Sequence, residues 1–217
     1  MALNIADEEW SVDQAAAVCR WYAEAVPDTL TYYDFGGSDA DPHPHNTVDL
    51  SDAGRLVVIN ARLGADDVPF MIRRAESAPW AAVSPTDDLL QLEWQGLLDR
   101  AEHLYRHFRP ATGRRLGPTR THKLLHLKRP HVFPIVDSVV RETYGDRARA
   151  EGGRYWPVLA QEIQDNRAAY EQLKARLASE RVGRLTVPRL HDILVWSLHG
   201  RRGQEARRVA ATAADLA

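Results

Sequence analysis

The longest stretch of this chain without an acidic residue carries the side chains best suited to bind an anion. The 34 positions between Glu102 and Asp137 hold eight Lys or Arg residues and five of the nine histidines. Such a cluster repels itself unless an anion neutralises it. Arginine side chains and helix N-termini both bind phosphate well. This basic segment (residues 103–136) therefore predicts a phosphate or nucleic-acid ligand. A solvated basic face and pairing with the protein's own acidic residues are the alternatives.

The order of residues in the basic segment resembles that of a known structural element. The turn Leu116-Gly117-Pro118-Thr119 precedes a short helix with Lys123, and the link PHVFPIV then leads to Asp137. Over residues 87–145 this order resembles the helix-hairpin-helix DNA glycosylases. The resemblance implies a hairpin whose backbone amides hold a DNA phosphate, Asp137 as catalytic carboxylate and Lys123 as nucleophile. The patterns KLLHLKRPHVFPIVDSVV and LHDILVW also resemble, over almost the full length, an uncharacterised bacterial family of unknown function.

Base excision needs more than a carboxylate. A base that leaves the stack must enter a pocket with aromatic or apolar walls, and Tyr32, Tyr33 and Trp156 are the predicted walls. Core packing is the alternative for these rings, a plain helix cap for Asp137, and a phosphate contact or an exposed position for Lys123. The predicted phosphate and DNA contacts are Arg114, Arg115, Gly117, Thr119, Arg120, Lys128 and Arg129.

Two histidine pairs have the spacing of metal ligands on a helix. His103 with His107 and His122 with His126 are four residues apart, which places both rings of a pair on one helix face. Their arginine and lysine neighbours oppose a dication. The sequence therefore predicts no metal and no cofactor. It also has no phosphate-binding loop or dinucleotide fingerprint of the usual kinds.

The spacing of apolar residues is helical almost throughout. Three- and four-residue repeats predict helices over 11–26, 48–63, 67–76, 84–108, 119–129, 137–144, 157–180 and 188–199. The predicted fold class is therefore all-α: a compact bundle of about eight helices with a helix-hairpin-helix glycosylase-like core. We expect a single domain over residues 1–199 and a flexible polar tail over 200–217.

Composition excludes several other classes. The 217 residues carry 28 Lys and Arg against 30 Asp and Glu, yet residues 1–100 have a formal charge of −12 and residues 101–217 one of +10. No apolar run reaches the ~18 residues of a membrane helix, and the acidic start does not match a signal peptide. One cysteine, Cys19, allows no internal disulfide. We expect a cytoplasmic protein.

These features leave three functions open. The first is a DNA-acting helical protein, such as a base-excision enzyme of the glycosylase type. The second is an enzyme that acts on an anionic small molecule in the same pocket. The third is a non-catalytic protein that binds a partner, such as a second copy in a homo-oligomer.

Overall fold

The computed structural model describes residues 1–36, 45–91 and 93–214. By internal contacts the chain divides into two compact units. The terminal unit combines Met1–Pro27 with Val136–Ala217, and the central unit is Asp28–Ile135. The sequence predicts one domain over 1–199, and this stays a prediction.

The terminal unit begins with a two-stranded antiparallel hairpin, β1 (Ala2–Ile5) and β2 (Glu8–Ser11). Its two-residue turn places Ala6 and Asp7 at φ values of 51° and 66°, the left-handed conformation that such tight hairpins require. Leu3 and Ile5 are buried. This hairpin is an addition to the predicted all-α class, and the rest of the unit is helical. Its helices are α1 (Val12–Ala25), α6 (Ser138–Thr143), α7 (Gly145–Ala150), α8 (Tyr155–Asp165), α9 (Arg167–Arg176), α10 (Val187–His199) and α11 (Gly203–Ala214).

The central unit consists of short helices around one buried helix. A π-helical segment covers Thr29–Asp34 and a 3-10 turn covers Trp80–Ala82. Its α-helices are α2 (Leu50–Val58), α3 (Asp67–Glu76), α4 (Trp94–Phe108) and α5 (Pro118–Lys128). Every residue from Thr121 to Lys128 is buried, so α5 forms the centre of this unit.

Helix starts agree with the sequence where a capping side chain is present. Ser11 and Gln14 form a reciprocal capping box at α1, and Asp137 caps α6 by accepting the amide of Val140 at 3.0 Å. Each cap satisfies an amide that has no acceptor within its own helix. The helix over 67–76 also has the predicted bounds.

Three predicted helices are wrong in their bounds. The helix predicted over 48–63 is shorter and ends at Val58. The helix predicted from Ser84 begins only at Trp94, because side chains and a distant carbonyl take the amides before it. Asp87 accepts the amide of Ser84, and the carbonyl of His131 accepts that of Leu89. The helix predicted over 157–180 is two helices that meet at Asn166, whose side chain bonds to the backbone of Asn4 in β1.

The predicted flexible tail is instead largely helical. Helix α11 buries Ala206 and Ala210 and packs against α1. These alanines lie four residues apart and so share one helix face, which allows the two backbones to approach closely. No helix among the described residues has the length and apolar character that crossing a membrane requires.

Candidate functional site

The basic segment does not form a solvated surface along α5. His122, Lys123, His126, Lys128 and Arg129 are all less than a tenth exposed. A buried cation needs oxygen partners, because leaving water carries a large desolvation penalty. The partners of these side chains therefore decide what the segment does.

The two lysines of α5 hold the two ends of α2. Lys123 Nζ donates to the carbonyl oxygen of Ile59 at 2.5 Å, just after α2 ends. Lys128 Nζ donates to Asp52 Oδ1 at 2.7 Å, in the first turn of α2, and both side chains are almost fully buried. The helix dipole favours a cation at the C-terminal end and a carboxylate at the N-terminal end. Lys123, the predicted nucleophile, thus contacts a helix C-terminus.

Arg129 uses its whole guanidinium inside the central unit. Its five N–H groups match five acceptors at 2.6–3.3 Å: four carbonyl oxygens and the side-chain oxygen of Asn46. The carbonyls belong to Val83, His45, Lys128 and Trp80, and the guanidinium also lies 5.1 Å from the Trp80 ring centre. Burial lowers the pKa of Arg129 to about 10. No donor of this residue remains for a phosphate.

The histidines of α5 bond to backbone carbonyl groups. His122 Nδ1 lies 3.1 Å from the carbonyl oxygen of Pro134, and His126 Nδ1 lies 2.7 Å from that of Phe133. A carbonyl only accepts, so each Nδ1 carries the proton. Burial lowers the pKa of His122 to about 4. Within the described ranges, no three His, Cys, Asp or Glu side chains group as a metal site requires.

Two further predicted DNA contacts meet an internal carboxylate. Arg114 Nη2 and Arg120 Nη1 lie 3.0 Å and 2.9 Å from the two oxygens of Asp67, which is 4% exposed. The amide of Gly64 also donates to Asp67, at 2.6 Å. Both guanidinium groups stay partly exposed. Pairing with the protein's own acidic residues therefore accounts for part of the basic segment.

The turn that leads into α5 is exposed over residues 111–115, and the first residues of the helix are half-buried. Gly117 is the N-cap residue, with φ −64° and ψ 158°, and no side chain in the described chain caps it. Pro118 occupies the first helical position, and Thr119 and Arg120 are half-buried. Arg115, two residues before Gly117, is exposed. Backbone amides at such a helix start point outward and favour an anion.

The remaining predicted site residues differ in burial and in their hydrogen bonds. Asp137 belongs to the terminal unit, is half-buried and accepts the amide of Val140 through Oδ1. Tyr33 is fully buried in the central unit and donates to the carbonyl oxygen of Lys123 at 3.1 Å. Tyr32 is 53% exposed, and Trp156 is buried in the terminal unit. Tyr33 and Trp156 thus have the burial of core residues.

Sequence reasoning missed a buried polar network in the terminal unit. The carboxylate of Glu162, on α8, accepts the Tyr144 hydroxyl and Arg147 Nη1, each at 2.5 Å, and the amide of Ala6 at 3.2 Å. His191 Nε2 lies 3.7 Å from Glu162 Oε1. Only the three-dimensional structure groups these residues, since no short motif joins them.

Tyr170 completes this network, in which each hydrogen bond can have one donor and one acceptor. The Tyr170 hydroxyl lies 2.7 Å from His191 Nδ1, and His191 Nε2 lies 3.5 Å from the Tyr144 hydroxyl. Burial and the Glu162 charge raise the pKa of both tyrosines, and burial lowers the pKa of His191. All three groups are therefore neutral at pH 7. The network can fix the hairpin turn at Ala6, and Arg147 is its partly exposed end.

The family comparison gives a match across most of both units. A model described as "Family of unknown function (DUF6308)" matches residues 70–199. The chain belongs to this family. The DUF6308 match includes the whole basic segment as well as Tyr144, Glu162 and His191. The predicted likeness to a family of unknown function is thus confirmed, and the description of the family names no activity. Neither curated proteins nor solved structures give a match, so the comparisons offer nothing for the glycosylase resemblance.

Proposed function

We propose that this protein binds DNA at the start of α5, in the central unit. We propose independently that Asp137, in the terminal unit, helps to release a base. The observation that carries the proposal is the start of α5 at Gly117, where no described side chain occupies the first amides. The exposed Arg115 precedes it in the chain. The resemblance of this turn to a helix-hairpin-helix element supports the choice of DNA over other anions.

The geometry of Gly117 suits close approach of a phosphate. A side-chain carbon built on Gly117 would meet no atom within 4 Å, so the space in front of the turn is open. Pro118 has no N–H group, so the available donors are the amides of Thr119 and Arg120. A phosphate oxygen accepts such amides and gains from the positive end of the helix dipole.

The proposal engages fewer cations than the sequence predicts. Arg114, Arg115 and Arg120 are exposed or half-buried, and Asp67 orients two of them without using all their donors. Lys128 and Arg129 are outside the proposal, because both are buried against internal oxygens. Three phosphate contacts give a slope of about −3 for log binding constant against log salt, against about −4 to −5 for five.

Asp137 supplies the chemistry in this proposal. A carboxylate stabilises the positive charge that develops on the sugar and accepts a proton from the attacking water. The water oxygen bonds to the sugar carbon, the bond from that carbon to the base nitrogen breaks, and the base leaves with its electron pair. Lys123 has no role in this step, since its ammonium is buried against Ile59. The product is an abasic site without strand cleavage.

The binding test replaces Gly117 by aspartate. The backbone conformation and the open space both accept a side chain, and aspartate is among the best N-caps, so the folded protein should gain a few tenths of a kcal/mol in stability. The new carboxylate fills the amides and repels phosphate. Fluorescence anisotropy with a labelled duplex at low salt should show binding weakened by about tenfold or more.

A matched control separates this effect from added negative charge. Gly145→Asp places the same charge at the start of α7, where the space is also open, and should weaken binding by no more than about twofold. Gly117→Asn caps the helix without adding charge, so its loss of binding should lie between those of Gly117→Asp and Gly145→Asp. Two outcomes contradict the proposal: wild-type protein that binds no duplex at low salt, and a Gly117→Asp variant that binds as well as wild type.

The catalytic test uses Asp137→Asn. Asparagine also caps a helix, so α6 should keep its start while the charge is lost. Alkaline cleavage of duplexes that each carry one damaged base measures base release. The rate of base release should fall by about 100-fold or more, and binding should not change. Asp146→Asn, at a 90% exposed side chain in the same unit, is the control. Equal base release by wild type and Asp137→Asn contradicts the catalytic role.

A further inference from the structure

Helix α2 of the central unit buries its charged residues and exposes apolar ones. Asp52 and Arg55 are 1% and 6% exposed, and Ala53 and Leu56 are buried on the same side. On the other side, the aliphatic residues Leu50 and Val57 are 74% and 62% exposed. A surface helix of a monomer normally buries its apolar stripe and turns its charges to water. An exposed apolar stripe on a helix indicates an interaction site.

The apolar residues of this face form one patch. Val58, 37% exposed, extends the stripe along α2, and Tyr32, 53% exposed, lies on the π-helical segment that packs beside α2. Arg55 Nε bonds to the carbonyl oxygen of Tyr33 at 2.8 Å and so holds this segment against the helix. Among the described residues, the other exposed large apolar side chain is Met1. The α2 face (Tyr32, Leu50, Gly54, Val57 and Val58) is thus the main exposed apolar patch of the described chain.

The face is symmetric about Gly54. Leu50 precedes Gly54 by four residues and Val58 follows it by four, and all three are exposed. At 3.6 residues per turn these positions lie along one ridge of the helix. A side chain built on Gly54 would meet no atom within 4 Å, so a second backbone can come close at this point. Small residues at the centre of a helix crossing permit that approach.

We propose that the α2 face binds the α2 face of a second copy of this chain, antiparallel and with the two-fold axis at Gly54. In this register Leu50 of each copy meets Val58 of the other. The face offers no exposed charged side chain of α2, so self-contact brings no like charges together, and the antiparallel helix dipoles attract. The exposed cap residue Asp49 lies at one end of α2, so in this register its two copies stand at opposite ends of the contact. A second copy supplies an uncharged face of matching shape.

The contact is small and should be weak. One short helix and a neighbouring tyrosine on each side fall at the low end of specific interfaces, and we expect a dissociation constant of roughly 1–100 μM. Sedimentation velocity over about 1–200 μM wild-type protein should therefore show a reversible monomer–dimer equilibrium. A wild-type chain that stays monomeric over this range overturns the proposal.

Two charged variants test the register. Leu50→Asp and Val58→Lys each place an unpaired charge in the contact and should each weaken self-association by about tenfold or more. Aspartate at the first position and lysine at the last both suit the helix dipole, so α2 should remain folded. An equimolar mixture of the two variants should recover dimers, because the aspartate of one copy meets the lysine of the other.

The controls exclude general effects of charge and hydrophobicity. Ala211→Asp adds a charge on the exposed side of α11 and should leave self-association unchanged. Gly54→Leu adds apolar surface but blocks the close approach, so it should also weaken the dimer. A mixture of the charged variants that stays monomeric, or a Gly54→Leu variant that associates more tightly, contradicts the antiparallel contact at Gly54.

Discussion

The two units satisfy their buried charges in different ways. The central unit buries cations on and beside α5 and surrounds them with carbonyl oxygens and the carboxylate of Asp52. The terminal unit surrounds the buried carboxylate of Glu162 with a hydroxyl, an amide and a guanidinium, and it also buries Arg189 paired with Asp192. Backbone carbonyls solvate a cation without a second charge, whereas a carboxylate must recruit donors one by one. The charge of a sequence segment therefore does not by itself define a charged surface.

The units also remove the charge asymmetry of the sequence. The central unit holds 13 Lys and Arg and 14 Asp and Glu, and the terminal unit holds 15 and 16, so each has a formal charge of −1. The acidic residues that precede the basic segment in the chain fold with it. The values of −12 and +10 for the two halves of the sequence therefore describe chain order and not two faces of the molecule.

The largest expected effect comes from the buried pair in the central unit. Lys128→Met leaves the carboxylate of Asp52 buried without its cation, which should lower the free energy of unfolding by about 3–5 kcal/mol. Urea titration measures the loss, and hydrogen exchange should place it in α2 and α5. The double variant with Asp52→Asn should recover part of the stability. Arg106→Met, at an exposed pair, is the control and should change stability by no more than about 0.5 kcal/mol.

Acid should destabilise the central unit through His122. Burial lowers the pKa of this histidine from 6.5 to about 4, so the unfolded chain takes up a proton before the folded one does. The stabilising contribution is complete above pH 6.5 and falls as the pH drops toward 4, by an amount on the order of 3 kcal/mol. In His122→Asn, the side-chain amide can still donate to Pro134, so the stability of this variant should depend less on pH. An unchanged pH dependence rejects the assignment.

The network of the terminal unit should respond more mildly to loss of its charge. Glu162→Gln keeps the shape and one acceptor but weakens the bonds from Tyr144 and Arg147, so we expect a loss of about 1–3 kcal/mol. Hydrogen exchange should quicken at Ala6. Glu171→Gln removes an exposed charge of the same kind and should have almost no effect. If Glu162→Gln lowered the free energy of unfolding more than Lys128→Met does, the buried charge of the terminal unit would contribute more to stability than that of the central unit.

The smallest expected effect lies in the hairpin turn that Glu162 holds. Asp7 has a φ of 66°, which glycine adopts without strain. Asp7→Gly should therefore raise the free energy of unfolding by up to about 0.5–1 kcal/mol in thermal denaturation. The side chain of Asp7 is 86% exposed and lies 3.9 Å from Arg147, so little is lost with it. Destabilisation by this change would show that the Asp7 carboxylate matters more than the backbone.

Sequence patterns predicted what local physics controls. Ser11 and Asp137 are strong capping residues, and their helices begin where the sequence places them. The apolar spacing of 67–76 and of the helix that ends near His199 also fixed those elements. Local signals failed at Ser84 and Asn166. In each case a residue far along the chain, His131 or Asn4, takes part in the competing hydrogen bonds.

The sequence alone determined that the chain is mainly helical, that cations and histidines concentrate before Asp137, and that Asp137 starts a helix. The tertiary structure alone decided which of those cations meet water. Lys123, Lys128 and Arg129 find oxygens on α2 and in the 3-10 turn at Trp80–Ala82, while Arg115 stays exposed. The physical reason is that a cation is buried only where folding supplies oxygens from distant residues, and the spacing of charges along a chain does not encode those contacts.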